Sequence, residues 1–226
     1  MFKIIGIILS FTFLTVVFPL WCFIQLEHLD WDKLEAKVIA QYDNRAGLRL
    51  RAWQNILSDK TLVQDKDKLK KVNRFFNQLQ FVSDTTLWGK NDYWATPVEF
   101  IGANGGDCED FSIAKYFSLL AMGVDEKKLR INYVKAISLN QYHMVLTYYA
   151  TPNAMPLVLD NINGKILPAN LRKDLLPIYS FNGDNLWLSK AKGQGKLVGN
   201  SNRLSSWNNL RARFNEAKLN KPLYQL

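Results

Sequence analysis

The chain has 226 residues, of which 48% are hydrophobic, so it can bury one substantial core with little left for a second. Its formal net charge is +9, but Lys and Arg are scattered without a recognition motif, which argues against nucleic acid as a partner. Two cysteines and two histidines, far apart in the sequence, do not form a zinc-ligand pattern.

The N-terminus carries an export signal. Residues 4–24 hold no charge, follow Lys3, and give way to acidic residues from Glu27 onward. This charge order predicts that the rest of the chain lies outside the cytoplasm, in the periplasm or the extracellular space. We predict that residues 1–26 are a signal peptide or an N-terminal membrane anchor and that residues 27–226 form one domain. Both readings of the leader stay open, because it is long enough to span a membrane and lacks a small-x-small cleavage site.

Cys22 falls in the leader, which leaves Cys108 as the single cysteine of the exported domain. Lipid attachment at Cys22 is disfavoured because Trp21 stands where such sites need a small residue. Thiols in exported proteins usually pair as disulfides. An unpaired Cys108 therefore indicates a reactive role.

The first half of the domain has helical patterning. Apolar residues recur at helical spacing across residues 32–81, which predicts two or three packed helices. Residues 96–99 read Thr-Pro-Val-Glu, a capping box with proline at the first helical position, so a short helix begins there. Residues 103–106 break it, and residues 107–110 open a further helix that ends near Gly123.

The second half has strand patterning. Residues 129–137, 143–149 and 157–162 are strand-like and are separated by turn-rich segments. The tail from Ser180 predicts one more strand and a closing helix. The fold class is therefore α+β, with a helical N-terminal part packed on an antiparallel β-sheet.

Cys108 is predicted to lie in the first turn of a buried helix. The positive end of the helix dipole favours its thiolate, and free backbone N–H groups there can bind an oxyanion. The alternative is an inert, buried cysteine at the start of a core helix.

A cysteine nucleophile needs a base, and His143 is the candidate because His28 lies just past the leader. Asp160, on the next predicted strand, suits the third role of orienting the imidazole. The alternatives are a surface or satisfied core histidine and an ordinary turn carboxylate.

Four segments carry a specific resemblance: GGDCEDFSIAKYFSLLAMG, LRINYV, QYHMVLTY and VLDNI. Together they resemble the bacterial transglutaminase-like cysteine proteinases over roughly residues 30–190. The resemblance implies a transglutaminase-like, papain-like fold with a Cys-His-Asp triad at Cys108, His143 and Asp160.

The resemblance also implies a biological role. Periplasmic members of this family cleave the N-terminal region of a large adhesin near a paired-alanine motif, which releases the adhesin from the cell surface and disperses biofilm. Their inhibitor is the periplasmic domain of an inner-membrane cyclic di-GMP receptor. We therefore expect an adhesin substrate and such a regulator as partners.

Three acids flank the cysteine: Asp107, Glu109 and Asp110. From the residues alone we interpret them as acids at a helix N-terminus, where their negative charge interacts favourably with the positive end of the helix dipole. Carboxylate oxygens also suit Ca²⁺, and the resemblance implies a calcium-dependent enzyme with Asp107 and Glu109 as metal ligands.

Two other functions are compatible with the same residues. A transglutaminase or amidase uses the same triad with a different acyl acceptor, and an inactive binding module keeps the fold without the chemistry. The aromatic residues Trp88, Tyr93 and Trp94 either line a substrate cleft or pack the core, and core packing is favoured.

Overall fold

The computed structural model describes residues 29–189, 195–215 and 217–226. The predicted leader, with Cys22 and His28, lies outside these residues, so the domain boundary at residue 27 stays a prediction. None of the helices in the described part is long and apolar enough to cross a membrane.

Helices dominate the first half, as predicted. Two of them begin with an aspartate whose carboxylate accepts a backbone N–H: Asp30 from Lys33 and Asp43 from Ala46. Such caps satisfy donors that the first turn leaves free. The helices are α1 (Trp31–Gln41), α2 (Asn44–Leu57), α3 (Asp65–Phe76), the single-turn α4 (Asp84–Leu87) and α5 (Pro97–Ala103).

The capping box predicted at residues 96–99 is present at the start of α5: the Thr96 side chain accepts the Glu99 N–H and the Glu99 carboxylate accepts the Thr96 N–H. Asn104 ends the helix in a left-handed conformation with φ of 62°. The chain then forms β2 (Gly105–Gly106), which pairs in parallel with β1 (Gln80–Phe81), and enters α6 (Cys108–Ala121).

One antiparallel sheet makes up most of the second half, which confirms the α+β prediction. Its seven strands run in the order β6-β5-β4-β3-β7-β8-β9. Three of them match predicted strands within a few residues. The strands are β3 (Leu129–Ala136), β4 (Gln141–Tyr148), β5 (Leu157–Leu159), β6 (Leu167–Pro168), β7 (Leu175–Phe181), β8 (Asn185–Leu188) and β9 (Lys196–Asn200).

Helix α6 forms the centre of the core. Its residues 110–120 are all buried, and it packs against α3, α5 and the face of β4. Such a helix is apolar on nearly all sides. Trp53 Nε1 of α2 donates a hydrogen bond of 2.8 Å to Ser118 Oγ of α6. This packing holds the N-terminus of α6 in a fixed position beside the sheet.

The tail closes the domain with α7 (Ser205–Asn215), as predicted. Trp207 of α7 stacks on Phe117 of α6, with ring centroids 5.6 Å apart. The prediction of one further strand was too low, because β7 contains Ser180 and both β8 and β9 follow it. Strand β7 begins with Leu-Leu-Pro, and Leu176 on it is exposed, so its alternation is weak.

Candidate active site

Cys108 is the first residue of α6, where the sequence placed it. Its thiol is unpaired and half-buried. The Met144 backbone N–H of β4 donates to the sulfur, so the thiol lies beside the residue that follows His143. The thiol itself donates to Glu109 Oε2 at 3.1 Å.

An open cleft of about 580 Å³ contains Cys108 and His143 together. Its walls come from the α6 N-terminus, from β3, β4 and β7, and from residues 203–206, which include the first turn of the closing helix of the tail. Peptide-sized ligands need such a concave site with a few convergent polar groups. The cleft therefore has the size and the chemistry of a substrate site.

The antiparallel register brings His143 and Asp160 together. Leu159 pairs with Leu146, so Asp160 falls near Val145 and on the same side of the sheet as His143. His143 Nε2 lies 2.8 Å from Asp160 Oδ1, and both side chains are almost fully buried. Because Nε2 is engaged by the carboxylate, Nδ1 is the ring nitrogen left for the thiol.

Arg172 completes the surroundings of Asp160 and was not predicted from the sequence. Its Nη2 donates to Asp160 Oδ2 at 2.7 Å, and the Ile162 N–H donates to Oδ1 at 3.0 Å. Burial acts to raise the pKa of Asp160, but the hydrogen bonds from His143 and Arg172 outweigh it and lower the pKa to about 2. Asp160 is therefore ionised at neutral pH.

A second basic group lies near Asp160. Lys115 of α6 is fully buried, and within residues 29–189, 195–215 and 217–226 its Nζ has no hydrogen-bond partner. Burial lowers its pKa to about 7, and the charge of Asp160 opposes this effect only partly. No sequence pattern distinguishes this lysine, because it lies within an otherwise apolar helix.

Two acids that are distant in sequence join the three acids that flank the cysteine. Asp84 from α4 and Asp92 from the following loop each place a carboxylate oxygen within 4.8 Å of a Glu109 oxygen. Asp84, Asp107 and Asp110 form another group with the same spacing, as do Asp107, Cys108 and Glu109. The sequence indicated only the acids next to Cys108.

The carboxylates of this cluster raise one another's pKa values. Burial, together with Glu109 and Asp92, raises the pKa of Asp84 to about 7, although the Tyr93 N–H opposes this. Burial and neighbouring carboxylates also raise the pKa values of Asp107 and Asp110. The pKa of the Cys108 thiol is raised by burial, by Glu109 and by Asp107.

The donor set fits a hard divalent cation. Asp84 Oδ1 and Asp107 Oδ1 are buried and find no hydrogen-bond partner in the part of the chain that the structure describes. Buried carboxylate oxygens of this kind are normally paired or bound to metal, and oxygen ligands suit Ca²⁺. Asp110 differs from them, because both of its oxygens accept backbone N–H groups, from Ala95 at 2.7 Å and from Asp107 at 3.3 Å.

The aromatic residues before α6 mainly pack the core, which is the role that the sequence favoured over lining a cleft. Trp88, Tyr93 and Trp94 are all buried, and Trp94 also lines the cleft. Tyr133 stacks on Tyr142 and on Tyr179 at centroid distances of 5.3 and 5.0 Å, and these three rings line the cleft beside Cys108.

Comparison with known proteins identifies the family. The sequence profile described as "Bacterial transglutaminase-like cysteine proteinase BTLCP" matches residues 52–174. This chain belongs to that family. A search of the curated proteins gave no match.

The same relationship appears in solved structures. The structure titled "Legionella pneumophila LapG (EGTA-treated)" is 43% identical over 82% of this chain and 97% of its own, with a TM-score of 0.72. The structure titled "Legionella pneumophila LapG (calcium-bound)" is 42% identical over 82% of this chain and 99% of its own, with a TM-score of 0.70. These findings confirm the family, the transglutaminase-like fold and membership among the cysteine peptidases. The individual roles of Cys108, His143 and Asp160 stay predictions.

Proposed function

We propose that this protein is a calcium-dependent, periplasmic cysteine endopeptidase that cleaves the N-terminal region of a large surface adhesin near a paired-alanine motif. One observation carries the enzymatic part. The His143–Asp160 pair, joined at 2.8 Å, opens onto the cleft that holds the unpaired Cys108 thiol.

The chemistry follows from these three side chains. Cys108 gives its proton to His143 and attacks a peptide carbonyl, and His143 then protonates the leaving amine. Asp160 holds the imidazole in one tautomer and stabilises its charged form. The Cys108 backbone N–H, free at the start of α6, contributes to an oxyanion hole, and water then hydrolyses the acyl-enzyme.

Asp107 and Glu109 would hold the calcium ion. Asp84 and Asp92 each place a carboxylate oxygen within 4.8 Å of a Glu109 oxygen, so they could add to the ligand set. Bound calcium would neutralise the carboxylates that now raise the pKa of Cys108. The likeness to a solved, calcium-bound LapG supports this assignment.

The substrate and the setting rest on likeness to LapG-type proteinases and on the leader. We infer that cleavage releases the adhesin and promotes biofilm dispersal, and that the periplasmic domain of an inner-membrane cyclic di-GMP receptor inhibits the enzyme. The uncharged segment 4–24 after Lys3 supports export, with or without a retained anchor.

The test is incubation of the purified protein with an adhesin N-terminal fragment that bears the paired alanine, followed by mass spectrometry. We expect two fragments from wild type, and none from Cys108→Ala or from chelated wild type. A crosslinked product of higher mass would instead indicate a transglutaminase. Cleavage by Cys108→Ala would remove the nucleophile assignment.

The calcium ligands need a matched control. Asp107→Asn and Glu109→Gln should each weaken calcium binding in isothermal titration calorimetry and abolish cleavage at low calcium. Asp67→Asn removes an acid from the exposed face of α3, where it pairs only with Lys70, and should leave both unchanged. Wild-type calcium affinity in both ligand variants would exclude this site.

A further inference from the structure

Asp160 is held on both of its carboxylate oxygens. Oδ1 accepts His143 Nε2 at 2.8 Å and the Ile162 N–H at 3.0 Å. Oδ2 accepts Arg172 Nη2 at 2.7 Å. The carboxylate therefore has a dedicated partner on the side that faces away from the imidazole.

Arg172 is itself fixed. Only 3% of its side chain is exposed. Its Nε and Nη2 form a fork on Asp174, at 3.0 Å to Oδ1 and 2.7 Å to Oδ2. A planar guanidinium that donates two hydrogen bonds to one carboxylate presents its remaining N–H groups in one orientation.

The need for such a group follows from the chemistry of aspartate. Rotation of a carboxylate about its last side-chain bond is soft and roughly two-fold, so hydrogen bonds to Oδ1 alone leave its plane poorly defined. A buried carboxylate also tends to take up a proton unless a charged donor opposes this. The hydrogen bond from Arg172 to Oδ2 both defines the plane of the carboxylate and opposes its protonation.

We propose that Arg172 is a positioning residue of the active site, which fixes the plane of Asp160 and thereby holds His143 with Nδ1 available to Cys108. Arg172 acts through Asp160 and does not line the cleft that holds the thiol. The inference rests on the triad roles proposed above.

The first readout is independent of proteolysis. Long-range proton–nitrogen NMR of the full-length protein at pH 8.5 reports the tautomer of each imidazole. The Cys108→Ala background is used so that no thiol proton reaches His143, and His28→Ala assigns the second histidine. We expect one dominant tautomer of His143, protonated at Nε2, and a mixture of tautomers after Arg172→Gln.

The second readout is steady-state cleavage with Cys108 present. Arg172→Gln should lower kcat by about 10²- to 10³-fold and change KM by less than about threefold, because substrate contacts remain. Arg172→Lys keeps the charge but not the fork, so its kcat should fall only about tenfold. This partial rescue distinguishes positioning from a merely structural role.

Arg213→Gln is the matched control, because Arg213 also pairs with a fully buried carboxylate, that of Glu99, but away from His143. It should lower thermal stability and leave the His143 signals unchanged. A folded Arg172→Gln with wild-type His143 signals or wild-type kcat would overturn the proposal. If Arg172→Gln does not fold, wild-type signals and kcat in Arg172→Lys would overturn it. If no substrate is cleaved at all, the proposed function fails, and the NMR result still decides the role of Arg172.

Discussion

Replacing Lys115 with methionine should stabilise the protein, and by an amount that depends on pH. Methionine has a similar length, no charge and a flexible shape suited to an existing core position. The lysine Nζ is buried and has no hydrogen-bond partner among the described residues, so its removal leaves none of their polar groups unsatisfied. The change therefore isolates the cost of burying one amine.

The magnitude follows from the pKa of Lys115, which burial lowers from 10.5 to about 7. Each pKa unit corresponds to about 1.4 kcal/mol, so at pH 6 the charged lysine costs about 5 kcal/mol. Between pH 7 and 10.5 the unfolded chain binds a proton that the folded protein does not, so wild-type stability rises with pH. At pH 9 the remaining cost is about 2 kcal/mol.

Urea unfolding at pH 6 and pH 9, in saturating calcium, measures the effect. We expect Lys115→Met to be more stable than wild type at both pH values, with a larger gain at pH 6. Lys128→Met is the control, because Lys128 is partly exposed and pairs with Asp65 at 2.8 Å. It should lose at most about 1 kcal/mol. An equal gain at both pH values, or a loss for Lys115→Met, would refute the reasoning.

Three further predictions concern the site. Calcium affinity, measured by calorimetry, should fall as pH drops through about 7, because Asp84 takes up a proton there and a protonated ligand competes with the cation. Gly106→Ala should cost about 1–3 kcal/mol in urea unfolding, since its Cβ would lie 2.1 Å from Asp110 Oδ2, whereas Gly164→Ala, with 3.5 Å of clearance, should be neutral. Asp160→Asn should lower kcat by about 10²- to 10⁴-fold with KM nearly constant, because the wrong His143 tautomer becomes available; an unchanged kcat would exclude its role.

The pH dependence of calcium binding has a counterpart in stability. In the cation-free protein the pKa of Asp84 lies above its ordinary value, so the folded state holds a proton that the unfolded chain has lost. Stability without calcium should therefore decrease as pH rises from about 4 to 7. Saturating calcium should remove this decrease, because it favours the ionised carboxylate. Thermal melts with and without chelator would show whether the two curves separate as pH rises.

Local signals in the sequence were enough to place Cys108 at the start of its helix. The capping box at Thr96 and Glu99 and the glycines before Cys108 depend on neighbours within a few residues, and the structure has both helix starts at those positions. The strands that carry His143 and precede Asp160 were predicted because they are strand-like runs bounded by turn-rich segments. The pairing of these two residues followed from the short turn between the strands.

The remaining parts of the site depend on contacts that no local pattern encodes. Arg172 reaches Asp160 because β6 pairs with β5, and the short helical turn after β6 ends at Arg172. Asp84 and Asp92 meet Glu109 because the loop before α5 passes the N-terminus of α6. The burial of Lys115 was not predicted for a different reason. A sequence pattern assigns a lysine in a helix to the exposed face, and only tertiary packing can bury it.

The acids around Cys108 lead us to expect that the site depends on a cation. A helix N-terminus favours a thiolate by about 1 kcal/mol, and up to about 2 kcal/mol in partly buried geometries. Here burial and the carboxylates of Glu109 and Asp107 together act in the opposite direction, and the pKa of the thiol is raised in their presence. The dipole alone therefore cannot keep Cys108 as a thiolate.

A divalent cation on the same carboxylates would remove most of the opposing charge, so we expect thiol alkylation of Cys108 to accelerate with calcium even when no substrate is present. Equal alkylation rates with calcium and with chelator would show that the cation acts elsewhere, on substrate binding or on the shape of the cleft.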